Sequence, residues 1–218
     1  FLLICLLASH VRQVYQSRKE REQALLKSAR LGIELLRKHI QPHFLMNTLT
    51  ALSEWIEEEP QVAAKMIQSI SEEFRVLAEI SDRRLIRMGD EIRLCRVHLE
   101  IMSHRKGLEY RMTTEGVDLE AQTPPAVIHT LVENAITHNH YTEGQVEFRL
   151  RQDLREGRRR YVFESPLGPT GSHGRSGEGT GLRYIRARLQ ESFGSDWTLR
   201  SERRGEHWQT EIVLPAGA

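Results

Sequence analysis

The sequence predicts a helical hairpin followed by a two-layer α/β sandwich. Three patterns carry that expectation. Up to about Lys106 the chain is built of long segments with apolar residues at helical period, broken at Glu57-Glu58-Glu59-Pro60 and again over Ser81–Arg87. After Gly107 short alternating runs appear, interleaved with two further helical stretches. The length, 218 residues, accommodates one or two domains of ordinary size.

Charge excludes some functions. Lys+Arg and Asp+Glu number 31 and 30, so no bulk charge draws the chain to nucleic acid. Cys5 sits in an apolar run and Cys95 in a predicted helix, which argues against a disulfide framework and for a reducing compartment. Two cysteines also exclude a zinc site built on cysteine ligands.

Residues 1–8, FLLICLLA, are apolar but too short to cross a bilayer, which needs about 20 residues. With Arg12, Arg18, Lys19, Arg21, Lys27 and Arg30 behind them, they read as the cytoplasmic end of a transmembrane helix, positive side inward. A buried helix end is the alternative. Residues 9–30 are charged and helix-favouring, a signalling helix or linker. Leu25, Ala29, Ile33, Leu36 and Ile40 keep a spacing near the coiled-coil period.

Residues 31–106 form the hairpin. In LRKHIQPHFLMNTLTAL, Leu45, Leu49, Leu52 and Ile56 make an apolar stripe, while His39, His43 and Asn47 make a polar one. Two residues separate His43 from Leu45, about 200° around a helix at roughly 100° per residue. His43 therefore points away from the core, and Pro42 bends the helix just before it. A second helix runs from about Pro60 to Glu79, with Val62, Met66, Ile70, Phe74 and Leu77 on one face. One such hairpin leaves apolar surface uncovered; two pair into a four-helix bundle, which is the physical case for a homodimer. Ser81 to Arg87 reads as a turn, and Asp90 to about Lys106 as a third helix with Ile92, Cys95, Leu99 and Met102 inward.

Residues 107–218 form the sandwich. LEYRMTT reads as a strand, and Thr123-Pro124-Pro125 starts a helix that Thr123 caps. Strands follow at Gln145–Gln152 and Arg160–Glu164, joined by a charged turn over Asp153–Arg159. A Gly/Ser-rich stretch from Pro166 to Gly181, expected to be mobile, leads into the helix LRYIRARLQESF. Strands at Trp197–Ser201 and Trp208–Leu214 close the unit.

Three constellations carry chemistry. Gly177, Gly179 and Gly181 lead straight into a helix, where backbone amides and the helix dipole suit a phosphate chain. They match neither the P-loop nor the dinucleotide fingerprint, and alone they also suit a flexible linker. Glu133, Asn134 and His138 share one helix and suit a hydrated Mg²⁺ at the rim of a nucleotide site, or simply a polar helix face. His43 and Asn47 lie one turn apart; a zinc reading of His39 and His43 lacks the Glu of H-E-x-x-H and a third ligand.

Taken together these motifs resemble a known family. LRKHIQPHFLMNTL resembles the H-box of LytS/AlgZ-like sensor histidine kinases, LVENAITHN resembles their N-box, and GEGTGLRYIRARL resembles their G-box, in the same order. The resemblance covers about Leu31 to the C-terminus and implies an ATP-binding sandwich of the GHKL type. It implies His43 as phosphoacceptor and Asn47 at the position used to hold a hydrolytic water for phosphatase activity. Asn134 would coordinate Mg²⁺, with Glu133 polarising water or the phosphates and His138 beside them. Gly179, Thr180, Gly181 and Leu182 would cradle the phosphates of ATP, with Gly177 in the lid. The implied partners are a second copy of the chain, a response regulator (LytTR-type DNA-binding outputs included) and the bacterial inner membrane, with no direct contact to nucleic acid. A non-catalytic scaffold and an ATPase without phosphohistidine are the alternatives within the same fold.

Departures from the family pattern are specific. Where the family often has Asp-x-Gly to take the adenine amino group, this chain has Phe163-Glu164-Ser165-Pro166-Leu167. That resembles an Asn-Pro-Leu variant with Ser165 at the Asn, and Glu164 is the other candidate for adenine. His39 stands where Gln is usual, Phe44 supplies no acid after His43, and Tyr184 stands where Asn is common.

Overall fold

The computed structural model describes residues 55–81, 83–142, 144–168 and 179–216, together with positions 12, 13, 15, 16, 19, 50 and 52. The apolar N-terminal run, the Pro42 bend, His39, His43, Asn47 and Gly177 lie outside the described residues. Among the described residues, no helix is long and apolar enough to cross a membrane.

The helical part enters the description as one helix, α1 (Pro60–Ser81). Pro60 occupies its first turn, where a missing N–H costs nothing, and the Glu59 carbonyl accepts from the amides of Val62 and Ala63. A short strand, β1 (Ile86–Arg87), leads into α2 (Met88–Lys106). Asp90 and Glu91 in the first turn and His104, Arg105 and Lys106 in the last complement the dipole of α2. Gly107 ends it in the left-handed region, φ 64°, and donates its amide to the Ser103 carbonyl.

α2 is buried on two sides. Ile92, Cys95, Leu99 and Met102, the expected inward set, join the main core. Leu94 and Ile101 instead pack on α1, with Val76, Leu77 and Ile80 at one end and Ala63 and Met66 at the other. The buried face of α1 is therefore rotated from the expected stripe: Met66 and Leu77 are inward, but so are Ala63, Glu73, Val76 and Ile80, while Val62 and Phe74 are half-buried.

The rest is a five-stranded sheet with helices on one face. Its strands are β2 (Glu109–Glu115), β4 (Gln145–Arg155), β5 (Arg158–Pro166), β6 (Thr198–Arg204) and β7 (His207–Pro215), in the order β2-β4-β5-β7-β6. β2 and β4 are parallel and the remaining neighbours antiparallel. The parallel pair is bridged by β3 (Gln122–Thr123) and α3 (Val127–His138), and α4 (Thr180–Phe193) lies between β5 and β6. The core sits between the sheet and α2, α3 and α4, around Phe148, Leu150, Tyr161, Phe163, Ile185 and Leu189.

Three local expectations are corrected. Thr123 does not cap a helix: it pairs with Ile86 in the two-stranded sheet of β1 and β3, and α3 begins only at Val127. Ile86–Arg87 is thus a strand within the predicted turn, too short for any alternation to reveal. The turn over Asp153–Arg159 shrinks to Glu156 and Gly157, whose φ values of 54° and 71° suit a two-residue hairpin loop. Asp153 and Arg160 are instead paired across the strands, Arg160 Nε donating to Asp153 Oδ1 at 2.9 Å.

Candidate active site

Three chain segments distant in sequence converge at one end of the sandwich: the C-terminal half of α3, the end of β5 and the start of α4. The placement of α3 begins with its cap. Ala126 adopts a left-handed conformation, φ 58°, and no side chain of the preceding loop caps the helix. The carboxylate comes from α2: Glu91 Oε2 accepts the Ala126 amide at 2.7 Å and Oε1 the His129 amide at 2.9 Å. Glu91 is fully buried, and burial pushes its pKa up to about 7 despite these backbone donors.

Held this way, α3 buries Val127, Ile128, Leu131, Val132, Ala135 and Ile136. Glu133 and Asn134 are half-buried and His138 is exposed. The Asn139 amide and its Nδ2 both donate to the Ala135 carbonyl, closing the helix.

The start of α4 meets α3 at Asn134. A Cβ placed on Gly181 would lie 2.3 Å from Asn134 Nδ2, 2.5 Å from Oδ1 and 2.8 Å from Cγ. Position 181 therefore admits no side chain while Asn134 keeps its place. Gly179 caps α4 in an extended conformation, and among the described residues nothing lies within 4 Å of its own Cβ direction. The arrangement places a carboxamide against a helix N-terminus, whose first amides have no partner within the helix. Leu182 packs against the core. Tyr184, at the position where Asn is common, links α4 to the loop before α3: its hydroxyl donates to the Pro125 carbonyl at 3.2 Å and accepts from Arg188 Nε at 3.0 Å.

The end of β5 presents its two candidates on opposite faces of the sheet. Ser165 is buried on the helix side, in alternation with Tyr161 and Phe163 of the core. Glu164 faces the other way and accepts from Arg151 at 2.8 Å. Beyond β5 the chain passes close under the end of α3. Gly168 has the His140 carbonyl oxygen 2.6 Å from its Cβ direction, and Tyr141 donates its hydroxyl to the Pro166 carbonyl at 2.8 Å. A cleft lined by Arg155, Arg160, Arg200, Glu202, Arg204 and Glu211 opens on the opposite face of the sheet, away from this convergence.

Sequence reading missed a polar network on the helix-facing side of the sheet. Thr210 lies across from Phe163 and is buried; its hydroxyl meets Ser201 Oγ at 2.8 Å, and Trp208 Nε1 donates to that Oγ at 2.7 Å. Buried hydroxyls next to Ser165 on an otherwise apolar face are the signal. It becomes readable only once strand register is known.

The donor set fits a hydrated divalent cation and a phosphate chain. A carboxamide oxygen at Asn134 with a carboxylate one residue earlier offers few protein ligands, as Mg²⁺ prefers, and leaves room for water and phosphate oxygens.

Comparison with known proteins follows the same lines. The family model for histidine kinases matches residues 31–110. The sensor histidine kinase BtsS of Escherichia coli is 26% identical over 192 residues, covering 86% of this chain and 33% of that protein. The sensor histidine kinase/phosphatase LytS of Staphylococcus aureus is 24% identical over 218 residues, covering 93% of this chain and 37% of that protein. The chain thus spans about a third of the length of these curated relatives. Among solved structures, the histidine kinase domain of a blue-light activated kinase of Erythrobacter litoralis aligns over 90% of this chain and 96% of its own, at 14% identity and a TM-score of 0.47.

Proposed function

We propose, from the premise that this chain belongs to the LytS-like sensor histidine kinases, that it binds ATP at the junction of α3, β5 and α4 and transfers the γ-phosphoryl group to His43. The observation that carries this is the packing of Asn134 against Gly181, which joins the two motifs that would handle the phosphates. Asn134 would hold Mg²⁺, and Glu133 would orient the water or phosphate oxygens beside it. Magnesium, when bound, would neutralise phosphate charge. Gly179, Thr180, Gly181 and Leu182 at the start of α4 would direct backbone amides at the same oxygens. A His43 ring nitrogen attacks the γ-phosphorus in line, the bond to the ADP oxygen breaks, and the imidazole proton leaves to a base. The phosphohistidine then donates to an aspartate of a response regulator. Asn47, four residues after His43, would position a water that hydrolyses the regulator's aspartyl phosphate to inorganic phosphate, the phosphatase step.

The wider assembly belongs to the same reading: residues 31–106 as the dimerisation and phosphotransfer unit, residues 107–218 as the catalytic unit, and the N-terminal run as an anchor in the bacterial inner membrane. The exposed Ile56 and Ile67 and the half-buried Phe74, seven residues after Ile67, support an unfilled apolar seam on the hairpin that a second copy would cover.

Incubation with γ-labelled ATP and Mg²⁺ tests the reaction. Acid-labile, alkali-stable label is expected on the wild type and is expected to be lost in His43→Gln. ATP turnover without such label would replace this reading with an ATPase, and absence of nucleotide binding would replace it with a scaffold. A second expectation concerns adenine. Ser165→Ala is expected to weaken ATP binding several-fold, by about 1 kcal/mol for a neutral hydrogen bond. Glu164→Gln is expected to leave it unchanged, since Glu164 faces Arg151 across the sheet. Equal losses in the two variants, read by calorimetry, would place the base elsewhere.

A further inference from the structure

One cluster lies apart from the nucleotide site and joins three helices. Glu73 of α1, His98 of α2 and His129 of α3 converge in the interior, with 5%, 5% and 0% of their surface exposed. Glu73 Oε1 lies 2.8 Å from His98 Nδ1 and 3.3 Å from His129 Nε2. The two imidazoles meet edge to face at 4.9 Å between centroids. The three potential ligand atoms all lie within 4.8 Å of one another, and among the described residues this is the one group of three His, Cys, Asp or Glu side chains so placed.

We propose that Glu73, His98 and His129 form a binding site for a divalent transition-metal ion, Zn²⁺ by its ligand chemistry, which fastens the α1–α2 hairpin to the nucleotide-binding unit. Two imidazole nitrogens and one carboxylate oxygen are a recurrent zinc set, with bonds of about 2.0–2.2 Å to each. Tetrahedral donors at such lengths stand about 3.3 Å apart. The Glu73–His129 separation already has that value, and the Glu73–His98 pair has to open by about half an ångström. A small exogenous ligand would complete the shell.

The charges around the cluster suit a cation. Burial disfavours ionised Glu73, but His98 and His129 outweigh it by charge and hydrogen bonding and hold its pKa well below the usual carboxylate range. Burial pushes His129 below its ordinary value, toward the neutral imidazole that a metal ligand requires. Burial opposes a charge on His98 too, yet Glu73 together with Glu133 raises its pKa. Glu133 lies one turn from His129 on α3, adding a second negative charge, whereas Arg105 of α2 is a half-buried cation within electrostatic reach of Glu73. The carboxylates of Glu73 and Glu133 match the charge of a dication, and the Arg105 guanidinium adds one positive charge beside them.

The consequence is mechanical. His129 and Asn134 ride on the same helix, and Glu73 belongs to the helix that follows the hairpin turn. An ion shared by the three would hold α1 against α3 and set the position of the nucleotide-binding helix relative to the hairpin. The site itself requires no nucleotide and stands whether or not the kinase reading does.

The test titrates chelator-stripped protein with ZnCl₂ in excess Mg²⁺, by calorimetry. One site per chain of about micromolar affinity or tighter is expected, with proton release and a raised melting temperature. His98→Gln with His129→Gln is expected to weaken binding at least about 100-fold and abolish the thermal shift, with far-UV circular dichroism unchanged. Should that double variant fail to fold, wild-type hydrogen exchange decides. Zinc is expected to protect amides around residues 73, 98 and 129 together, and X-ray absorption to show only nitrogen and oxygen ligands with two imidazoles. Absence of saturable binding would overturn the site. So would undiminished affinity in the double variant, or protection confined to the histidines outside the cluster, such as His104, His138, His140 and His207.

Discussion

Gly181→Ala is expected to leave the chain folded and to lower ATP-dependent labelling of His43 by roughly 10²–10³, the loss typical of removing one group that stabilises transition-state charge. One methyl suffices because its carbon would sit 2.3–2.8 Å from the Asn134 carboxamide, closer than any real contact. What gives way is the end of the Asn134 side chain rather than backbone, so relief is cheap for the fold and costly for the site. Helix propensity even favours Ala over Gly at an α4 position by about 1 kcal/mol, so the melting temperature should move little. Asn134→Ala should show the same defect, and the double variant should be little worse than either single one, because both remove one arrangement. Labelling within a few-fold of wild type in Gly181→Ala would mean that Asn134 does not act from its present position.

Glu91→Ala is expected to destabilise the chain by about 2–5 kcal/mol, among the largest effects a single side chain outside the candidate active site can have here. The change leaves the Ala126 and His129 amides buried without their acceptor and opens a cavity where α2 meets α3. Glu91 also makes stability depend on pH in a definite direction. Burial raises its pKa from 4.5 to about 7, so between those values the folded chain holds a proton that the unfolded chain has released. This contribution is fully present below about pH 4.5 and is lost as pH rises through about 7. In paired denaturation curves, Glu91→Gln cannot titrate. Wild type should therefore lose stability relative to it from pH 4.5 to 7, with a constant gap above. The pH dependence of Glu73, His98 and His129 is common to both proteins and cancels in the difference. A flat difference across that range would show that the backbone donors, not burial, set the ionisation of Glu91.

Much of the architecture is legible without coordinates, because apolar periodicity reports directly on which face of an element leaves water. α1, α2, α3, α4 and the five long strands all lie within a few residues of their expected positions. The same holds for the grouping of Glu133 and Asn134 on one helix and of Gly179 and Gly181 at the start of another, since local spacing alone determines it. Legibility fails where a partner comes from elsewhere in the chain. Thr123 looks like a cap because it precedes two prolines, yet it pairs with Ile86, and the cap comes from Glu91 on another helix. The buried face of α1 is shifted because α2 packs on it, and a stripe read from one helix cannot register its neighbour.

The site divides in the same way. The motif order, and hence the resemblance to a family, is a property of the sequence by itself, as is the chemistry each motif can perform. Only tertiary structure decided that Asn134 touches Gly181, that Ser165 faces the helices while Glu164 faces Arg151, and that Glu73, His98 and His129 meet. In each case the reason is physical: strand register turns adjacent residues to opposite faces, and helix packing brings distant side chains to one point.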